Sequence, residues 1–298
     1  MVEVGIIDAD AEIAIFMNGC VPRYPEVLTE GYGIKQLRGR FHGYNESYRF
    51  SQSELAYQGN FSFMARDAMR IAEIEFAMGY PLDRVQCYLR ASAVAMLTCV
   101  RLRGTVDTVE FTTEAARNEP LPGHLMHAIA SVDVSMGAPT QALIGAYCAL
   151  LGNDYDLALR IARSICFEQY DYDGIGVNGV AEKKGYVSLI LGEVEKAQQF
   201  ASQFNATSAR GKILSAICAR DQSLFTAGLT SLLKEIERDA PVRIRTSRKE
   251  KPAYVPTTYW SLEGLGVVAL AMKYDLKLML EHPYLPREVL STERGASA

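Results

Sequence analysis

Residues 63–97, FMARDAMRIAEIEFAMGYPLDRVQCYLRASAVAML, contain two apolar segments that are separated by Gly-Tyr-Pro. From Ser51 to Gly79 the apolar residues recur at mostly helical steps with charged residues between them, which predicts an amphipathic helix. Because proline suits the first turn of a helix, Pro81 predicts a second helix over about Leu82 to Arg103. The ASAVAMLTCV part of that helix carries no charge and is expected to lie between layers. This stretch therefore predicts a helical hairpin.

A similar pattern appears twice in a second helical region, which is predicted from Pro139 to about Lys234. Leu151-Gly152-Asn153-Asp154 leads into YDLALRIARSI, and Leu191-Gly192-Glu193 leads into VEKAQQFASQF. In each copy an apolar helix ends at glycine, a residue that readily adopts the left-handed conformation at helix ends. The copies begin 40 positions apart, a length typical of stacked hairpins of the tetratricopeptide or HEAT kind. Hairpin packing in a non-repetitive bundle explains them nearly as well.

These patterns predict an all-α protein of antiparallel helical hairpins, packed as a bundle or as a short tetratricopeptide- or HEAT-like array. We expect a single helical domain, 1–298, with an N-terminal subregion 1–103, a connector 104–138 and a C-terminal helical region 139–298. The connector is predicted to contain one short strand. Residues 239–257 are predicted to form a loop, because three prolines interrupt them.

Composition narrows the function classes. The net charge is −4, whereas nucleic-acid binders usually carry a basic surplus. The N-terminal MVEVGIIDADAEIAIFMNGC has acids where a signal peptide needs basic residues. The cysteines lie mostly in apolar helical runs without the spacing of a zinc or redox pair: Cys20, Cys87, Cys99, Cys148, Cys166 and Cys218. We expect a cytoplasmic protein with free thiols and with neither a nucleic-acid nor a membrane partner.

Motifs for catalysis or for a cofactor are missing from the sequence. It contains no GxSxG serine elbow, no Walker loop and no dinucleotide fingerprint. His124 and His127 are spaced to share a metal on a helix, but no acid stands between them. A calcium loop from Asp171 to Glu182 would place Ile175 at the fifth ligand position, where an oxygen is needed. We predict no enzyme activity, no cofactor and no metal site.

The segment FEQYDYDG predicts a contact with a protein partner. Tyrosine provides rigid amphipathic contact area, and acidic side chains steer a basic partner. The predicted partner-binding residues are Glu168, Tyr170, Asp171, Tyr172 and Asp173. The alternative is a solvated loop with its tyrosines on the edge of the core.

A second charged segment lies in the predicted loop. It carries five basic residues, Arg243, Arg245, Arg248, Lys249 and Lys251. Aromatic residues nearby would allow nucleic-acid contact by charge and stacking. A solvated basic loop is the alternative, and the acidic balance of the whole chain favours it.

Residues 259–286 contain the chain's single tryptophan and a nearly uncharged run. From Tyr259 to Met272 the only charge is Glu263, and fourteen residues are too few to span a bilayer, which needs about 20. A helix that is apolar all round belongs in a core. We therefore assign structural roles to Trp260 and to Gly264 and Gly266, where another helix is expected to approach closely. Thr257 or Thr258 is the expected cap.

Trp260, the helix LEGLGVVALAMKYDL and the terminal HPYLPREVL together resemble the C-terminal part of the bacterial immunity proteins classed as immunity protein 49. The resemblance implies a helical antidote that is encoded beside a polymorphic toxin used in interbacterial competition. Such an antidote binds its cognate toxin in the cytosol and blocks the toxin's active site. The expected function is thus stoichiometric inhibition of a toxin by protein–protein interaction. The alternative is a helical-repeat adaptor that binds a peptide or a signalling partner.

Overall fold

A computed structural model describes residues 56–104, 112–113, 119–120, 138–165, 167, 176–203, 208–247 and 260–290. Contacts divide the chain into two compact units, Met1–Gln169 and Tyr170–Ala298. The division falls after Gln169, downstream of the connector expected at 104–138. Regular structure in the described residues is helical apart from two strands of two residues each. The prediction of an all-α fold is confirmed.

The first unit is a set of antiparallel helices that are neighbours in sequence and in space. Helix α2 packs against α1 and α3, and α4 packs against α3 and α2. The central place of α2 agrees with the uncharged run ASAVAMLTCV that it contains. The bounds are α1 Ala56–Ala77, α2 Leu82–Gly104, α3 Ala138–Leu151 and α4 Tyr155–Arg163. The hairpin predicted from the Gly-Tyr-Pro break is confirmed.

Between α2 and α3 the structure describes two short strands, β1 (Thr112–Thr113) and β2 (Glu119–Pro120). They pair antiparallel, with Thr112 opposite Pro120. The sequence predicted one short strand in this connector, and the structure has a two-stranded ribbon.

The second unit contains two further hairpins and a C-terminal core helix. Helix α7 packs against α5, α6 and α8, and α9 packs against α8 and a final 3-10 helix. The bounds are α5 Gly176–Ile190, α6 Val194–Ala201, α7 Ala209–Ala219, α8 Gln222–Ser247, α9 Leu262–Met272 and the 3-10 helix Arg287–Leu290. None of the helices in the described ranges is both long and apolar enough to cross a membrane.

The prediction of a loop at 239–257 is wrong for residues 239–247, because α8 continues through Pro241 to Ser247. A proline inside a helix removes one backbone hydrogen bond, at a cost of about 3 kcal/mol. The upstream part of α8 is anchored by a buried stripe, Phe225, Leu229, Leu232 and Leu233, and that anchoring favours continuation. Arg243 and Arg245 therefore belong to a helix, whereas Arg248, Lys249 and Lys251 lie outside the described residues.

Several helices end in the same turn, in which one residue adopts a left-handed conformation. These residues are Gly79, Asn153, Gly192, Arg220 and Asp275, with φ values of 85°, 56°, 80°, 54° and 65°. The following N–H bonds back to a carbonyl five residues earlier, for example Asp154 to Ala149 at 2.9 Å and Glu193 to Ser188 at 2.8 Å. This pattern is a Schellman motif, which satisfies carbonyls that the helix end leaves free.

In the first predicted repeat, the sequence predicted Gly152 as the left-handed residue at the helix end. This prediction is wrong, because the left-handed residue is Asn153. A Cβ on Gly152 would lie 2.7 Å from Cγ of Arg90. The Arg90 guanidinium also donates to the Gly152 carbonyl at 2.7 Å. Glycine is therefore needed at this position for the close approach of α2, and asparagine provides the turn.

One of these turns, at Arg220-Asp221, joins α7 to α8, and the sequence pattern did not reveal it. Asp221 N–H bonds to the Ala216 carbonyl at 2.9 Å. Its carboxylate then caps α8 by accepting from Leu224 N–H at 2.9 Å. Asp154 caps α4 in the same way through Leu157 N–H, also at 2.9 Å. Helices thus begin directly after each turn, which keeps the hairpins tight.

Candidate partner-binding site

The partner-binding residues predicted from the sequence are Glu168, Tyr170, Asp171, Tyr172 and Asp173, and all lie outside the described residues. They fall between the end of α4 at Arg163 and the start of α5 at Gly176. That part of the hypothesis stays a prediction. His124 and His127 also lie outside the described residues.

Glu182 would be the last ligand of the calcium loop considered above. The structure describes this residue, and its position argues against such a loop. Helix α5 already begins at Gly176, so Glu182 lies well inside a helix and not at the end of a loop. Its Oε1 lies 3.7 Å from Nε of Arg210. Across the described residues, no three His, Cys, Asp or Glu side chains are placed to hold a metal ion.

The Glu182 contact belongs to a larger group around one guanidinium, which we call the Arg210 cluster: Glu182, Arg210, Glu235 and Glu263. Arg210 binds Glu263 with two hydrogen bonds, Nε to Oε1 at 2.6 Å and Nη2 to Oε2 at 2.8 Å. Its Nη1 donates to Glu235 Oε2 at 3.1 Å. Because each member comes from a different helix, the cluster joins α5, α7, α8 and α9.

Local structure positions Arg210 in the first turn of α7. Ser208 caps that helix, and its Oγ accepts from Gly211 N–H at 3.3 Å. Tyr186, on α5 and one turn beyond Glu182, donates its hydroxyl to the Arg210 carbonyl at 2.9 Å. The Tyr186 ring is buried, and burial raises its pKa well above the ordinary value. The backbone at Arg210 is therefore held independently of its charge.

The electrostatics of the cluster are unbalanced, because three carboxylates share one guanidinium. Hydrogen bonding to Glu263 is the main cause of the raised pKa of Arg210. Burial raises the pKa of Glu182 more than the opposing attractions of Arg210 and Lys183 lower it, and the two other carboxylates add to the rise. The folded protein thus carries a partly buried excess of negative charge at a cost in free energy. A cationic group from a partner would reduce that cost.

A separate concave surface, which we call the C-terminal groove, lies in the same unit. It has a volume of about 480 Å³ and is lined by Met272, Asp275, Leu276, Lys277, Leu278, Arg287 and Leu290. The side-chain amide of Gln222 fixes its backbone, donating to the Lys277 carbonyl at 2.9 Å and accepting from Lys277 N–H at 2.8 Å. Tyr274 donates its hydroxyl to the Leu189 carbonyl and ties the turn after α9 to α5.

Helix α9 is buried along most of its length. Trp260 is 2% exposed and precedes the helix, which begins at Leu262 and not at the expected Tyr259. The cap is Ser261, whose Oγ accepts from Gly264 N–H at 3.0 Å, and not Thr257 or Thr258. A serine directly before the helix can reach this N–H, which satisfies a free donor of the first turn.

The two glycines of α9 are both buried. A Cβ on Gly264 would lie 2.9 Å from Cδ2 of Leu285 and 3.1 Å from the capping Oγ of Ser261. The expected close approach to Gly264 therefore comes from the segment before the 3-10 helix, and not from another α-helix. Gly266 lies two residues further along the same helix.

The first unit has a two-pronged ion pair at the turn of its hairpin. Arg84 binds Glu75 through Nε at 2.7 Å and Nη2 at 2.9 Å, and the Glu75 side chain is fully buried. The guanidinium also lies 4.9 Å from the centre of the Tyr80 ring. Both partners flank the turn between α1 and α2, so the pair joins the two helices where the chain reverses.

The described thiols are free, and burial raises their pKa values. Cys148 is fully buried, and burial raises its pKa to about 12. Burial is also the main cause of the raised pKa of Cys87 and of Cys218. These three side chains are protonated at neutral pH and are poor nucleophiles.

Comparison with protein-family models, with curated proteins and with solved structures finds no match for this chain.

The sequence did not point to Arg210 or Glu235 as site residues. Arg210 and Glu263 are 53 positions apart, and no local spacing connects them. The one available signal was Glu263, the only charge between Tyr259 and Met272. A single carboxylate in an otherwise apolar helix is a candidate for an ion pair, and in the structure its partner is Arg210.

Proposed function

We propose that this chain is the immunity protein of a bacterial polymorphic toxin system. It binds its cognate toxin in the cytosol and inhibits it stoichiometrically, without a catalytic step. The Arg210 cluster is the observation that carries this proposal. It combines an excess of carboxylates, partial burial and a rigid position between four helices. Sites with these properties favour protein interfaces in which a cation completes the charge balance.

The proposed partner group is an arginine or lysine of the toxin. Glu235 and Glu263 keep 39% and 38% of their side-chain surface exposed, so a cation can reach them from solvent. Contact with that cation would favour the ionised form of Glu182, whose burial now disfavours it. The cluster would then supply both specificity and a fast, salt-dependent association.

Tyr170 to Asp173 remain part of the proposal. In the sequence they lie shortly before α5, the helix that carries Glu182. Their acidic and aromatic side chains suit contact with a basic cleft. Carboxylates in such a cleft imitate the phosphates of a nucleic-acid substrate, which suits inhibition of a nuclease.

The experiment uses the reading frames that flank this gene. Each is expressed in a bacterial host with and without this chain. A product that kills alone and is harmless with the chain supports the proposal, provided that the toxin remains intact and elutes with the chain in a fixed ratio. Rescue with loss or modification of the toxin would indicate an enzyme and contradict stoichiometric inhibition.

The adaptor alternative has one observation in its favour. The turn at Arg220-Asp221 adds a hairpin of the same construction as those at Asn153-Asp154 and Gly192-Glu193. Repeated hairpins of this kind bind extended peptides in solenoid proteins. An adaptor would bind a short segment cut from its partner nearly as well as the intact partner. An inhibitor that fits a catalytic cleft would require the folded toxin.

A further inference from the structure

The C-terminal groove is lined mostly by apolar and cationic residues. Met272, Leu276, Leu278 and Leu290 provide the apolar lining, and Lys277 and Arg287 line the same space. Met272 is the last residue of α9 and is 42% exposed, so its side chain is available for contact. The groove therefore offers hydrophobic contact and positive charge together.

The positive charge is only weakly satisfied by nearby acids. Among the described residues that line the groove, Asp275 is the one acid, and its Oδ2 lies 3.5 Å from Nη1 of Arg220. Arg287 lies 3.8 Å from Glu281, and the two side chains are 57% and 89% exposed. Ion pairs as exposed as these are weak and exchange readily with other partners. An incoming carboxylate can replace Glu281 at little cost.

The backbone of the groove is held in place before anything binds. The side-chain amide of Gln222 bonds both the N–H and the carbonyl of Lys277. The left-handed turn at Asp275 is closed by a hydrogen bond from Leu276 N–H to the Ala271 carbonyl at 3.2 Å. A preformed surface loses little conformational entropy on binding.

We propose that the C-terminal groove is a docking site for a protein segment in which a leucine or phenylalanine is flanked by glutamate or aspartate. The apolar side chain contacts Met272, Leu276 and Leu278, and the carboxylate pairs with Lys277 or Arg287. This site goes beyond the proposed toxin inhibition. The Arg210 cluster requires a cationic partner group, whereas the groove requires an acidic one. Failure of either proposal leaves the other standing.

The test follows the methionine methyl groups by NMR in the full chain. The chain has 10 methionines, and the Met272 and Met279 signals are assigned with Met272→Leu and Met279→Leu. Met279 is 64% exposed but does not line the groove, so it is the internal control. The probe is the peptide EELEEF with blocked ends. Its two controls are KKLKKF, which reverses the charges, and EESEES, which removes the apolar side chains.

The expected result is a saturable shift of the Met272 signal with EELEEF, while the Met279 signal stays in place. KKLKKF and EESEES should bind at least about tenfold more weakly, since one repels the cations and the other lacks the apolar contact. Lys277→Glu should weaken EELEEF binding to a similar extent. Lys234→Glu makes the same charge change at an exposed residue of α8 that does not line the groove, and it should have no effect.

Three outcomes would overturn the proposal. The first is no shift of Met272 at millimolar EELEEF, and the second is equal binding of KKLKKF. The third is a Met272 signal that changes without peptide, either on dilution or when the chain is shortened to end at Leu290. That result would show that a second copy or the chain's own terminus covers the groove.

Discussion

Arg210 and Glu263 face each other in a two-pronged ion pair, with N–O distances of 2.6 and 2.8 Å, and join the first turns of α7 and α9. Glu263 is the only charge in the core helix, and Arg210 is the only cation within the cluster. The side chains of Arg210 and Glu263 are 30% and 38% exposed, so solvent screens the attraction between them. The same guanidinium also lies 3.7 Å from Glu182 and 3.1 Å from Glu235, so all three carboxylates meet at Arg210.

Removing the guanidinium should destabilise the second unit. Arg210→Leu is expected to lower the free energy of unfolding by about 1–3 kcal/mol, because it leaves three carboxylates without their shared cation. Arg210→Lys keeps the charge but loses the two-pronged geometry, and it should cost less than Arg210→Leu. Urea unfolding followed by fluorescence of Trp260, the only tryptophan, reports on this unit. Equal stability of Arg210→Leu and wild type would contradict the assigned role.

Neutralising Glu182 should have the opposite effect. Its folded-state pKa is raised by burial, so the protonated form stabilises the fold below the ordinary pKa of 4.5, and this contribution is lost as pH rises through the folded pKa. Glu182→Gln imitates the protonated form and should increase stability at pH 7. The gain should disappear near pH 4.5. The exposed Glu195→Gln is the control, and a Glu182→Gln variant that is less stable at pH 7 would show that attraction to Arg210 outweighs burial.

The turn at Gly192 tests the shared construction of the hairpins. A Cβ at Gly192 would meet nothing within 4 Å, so only the φ of 80° opposes a side chain. Gly192→Ala should therefore cost about 1 kcal/mol, and Gly192→Asn should cost less because asparagine tolerates this conformation. The same urea assay measures both. A neutral Gly192→Ala variant would show that the turn relaxes to another conformation.

Gly264 tests the packing of the C-terminal segment on α9. Gly264→Ala is expected to destabilise the second unit by about 1–3 kcal/mol, because the added Cβ would lie 2.9 Å from Leu285. Combining it with Leu285→Ala should cost less than the sum of the two single changes, since the second makes room for the first. Strict additivity of the two free-energy changes would argue against their contact.

Local patterns in the sequence predicted most of the first hairpin. The periodicity around the Gly-Tyr-Pro break predicted the end of α1 to within two residues and both ends of α2 to within one, because amphipathic spacing is a local property. Pro241 led to the wrong prediction of a loop. In the structure α8 continues past it, because the packing of the upstream part of the helix outweighs one lost hydrogen bond. The hairpin turn between α7 and α8 was missed because its left-handed residue is Arg220, and arginine carries no turn signal.

The Arg210 cluster could not be predicted from local sequence patterns, because its members are far apart in the chain. Arg210 meets carboxylates that are 25 and 53 positions away in the chain, and only the packing of four helices brings them together. The residues that the sequence did propose, Tyr170 to Asp173, carry a compositional signal for binding. Their contribution to the proposed interface is tested by replacing all four together, which should weaken the complex by several kcal/mol if they are central to it.

The most direct test of the account is titration calorimetry of this chain with the toxin that it protects against. The double variant Glu182→Gln/Glu235→Gln removes the excess charge and leaves the Arg210–Glu263 pair intact. Asp156→Asn/Glu195→Gln removes two exposed carboxylates elsewhere and is the control. We expect one-to-one binding, a loss of at least about tenfold in affinity for the cluster variant, and no change for the control. Equal affinity of the cluster variant and wild type would contradict the proposed interface.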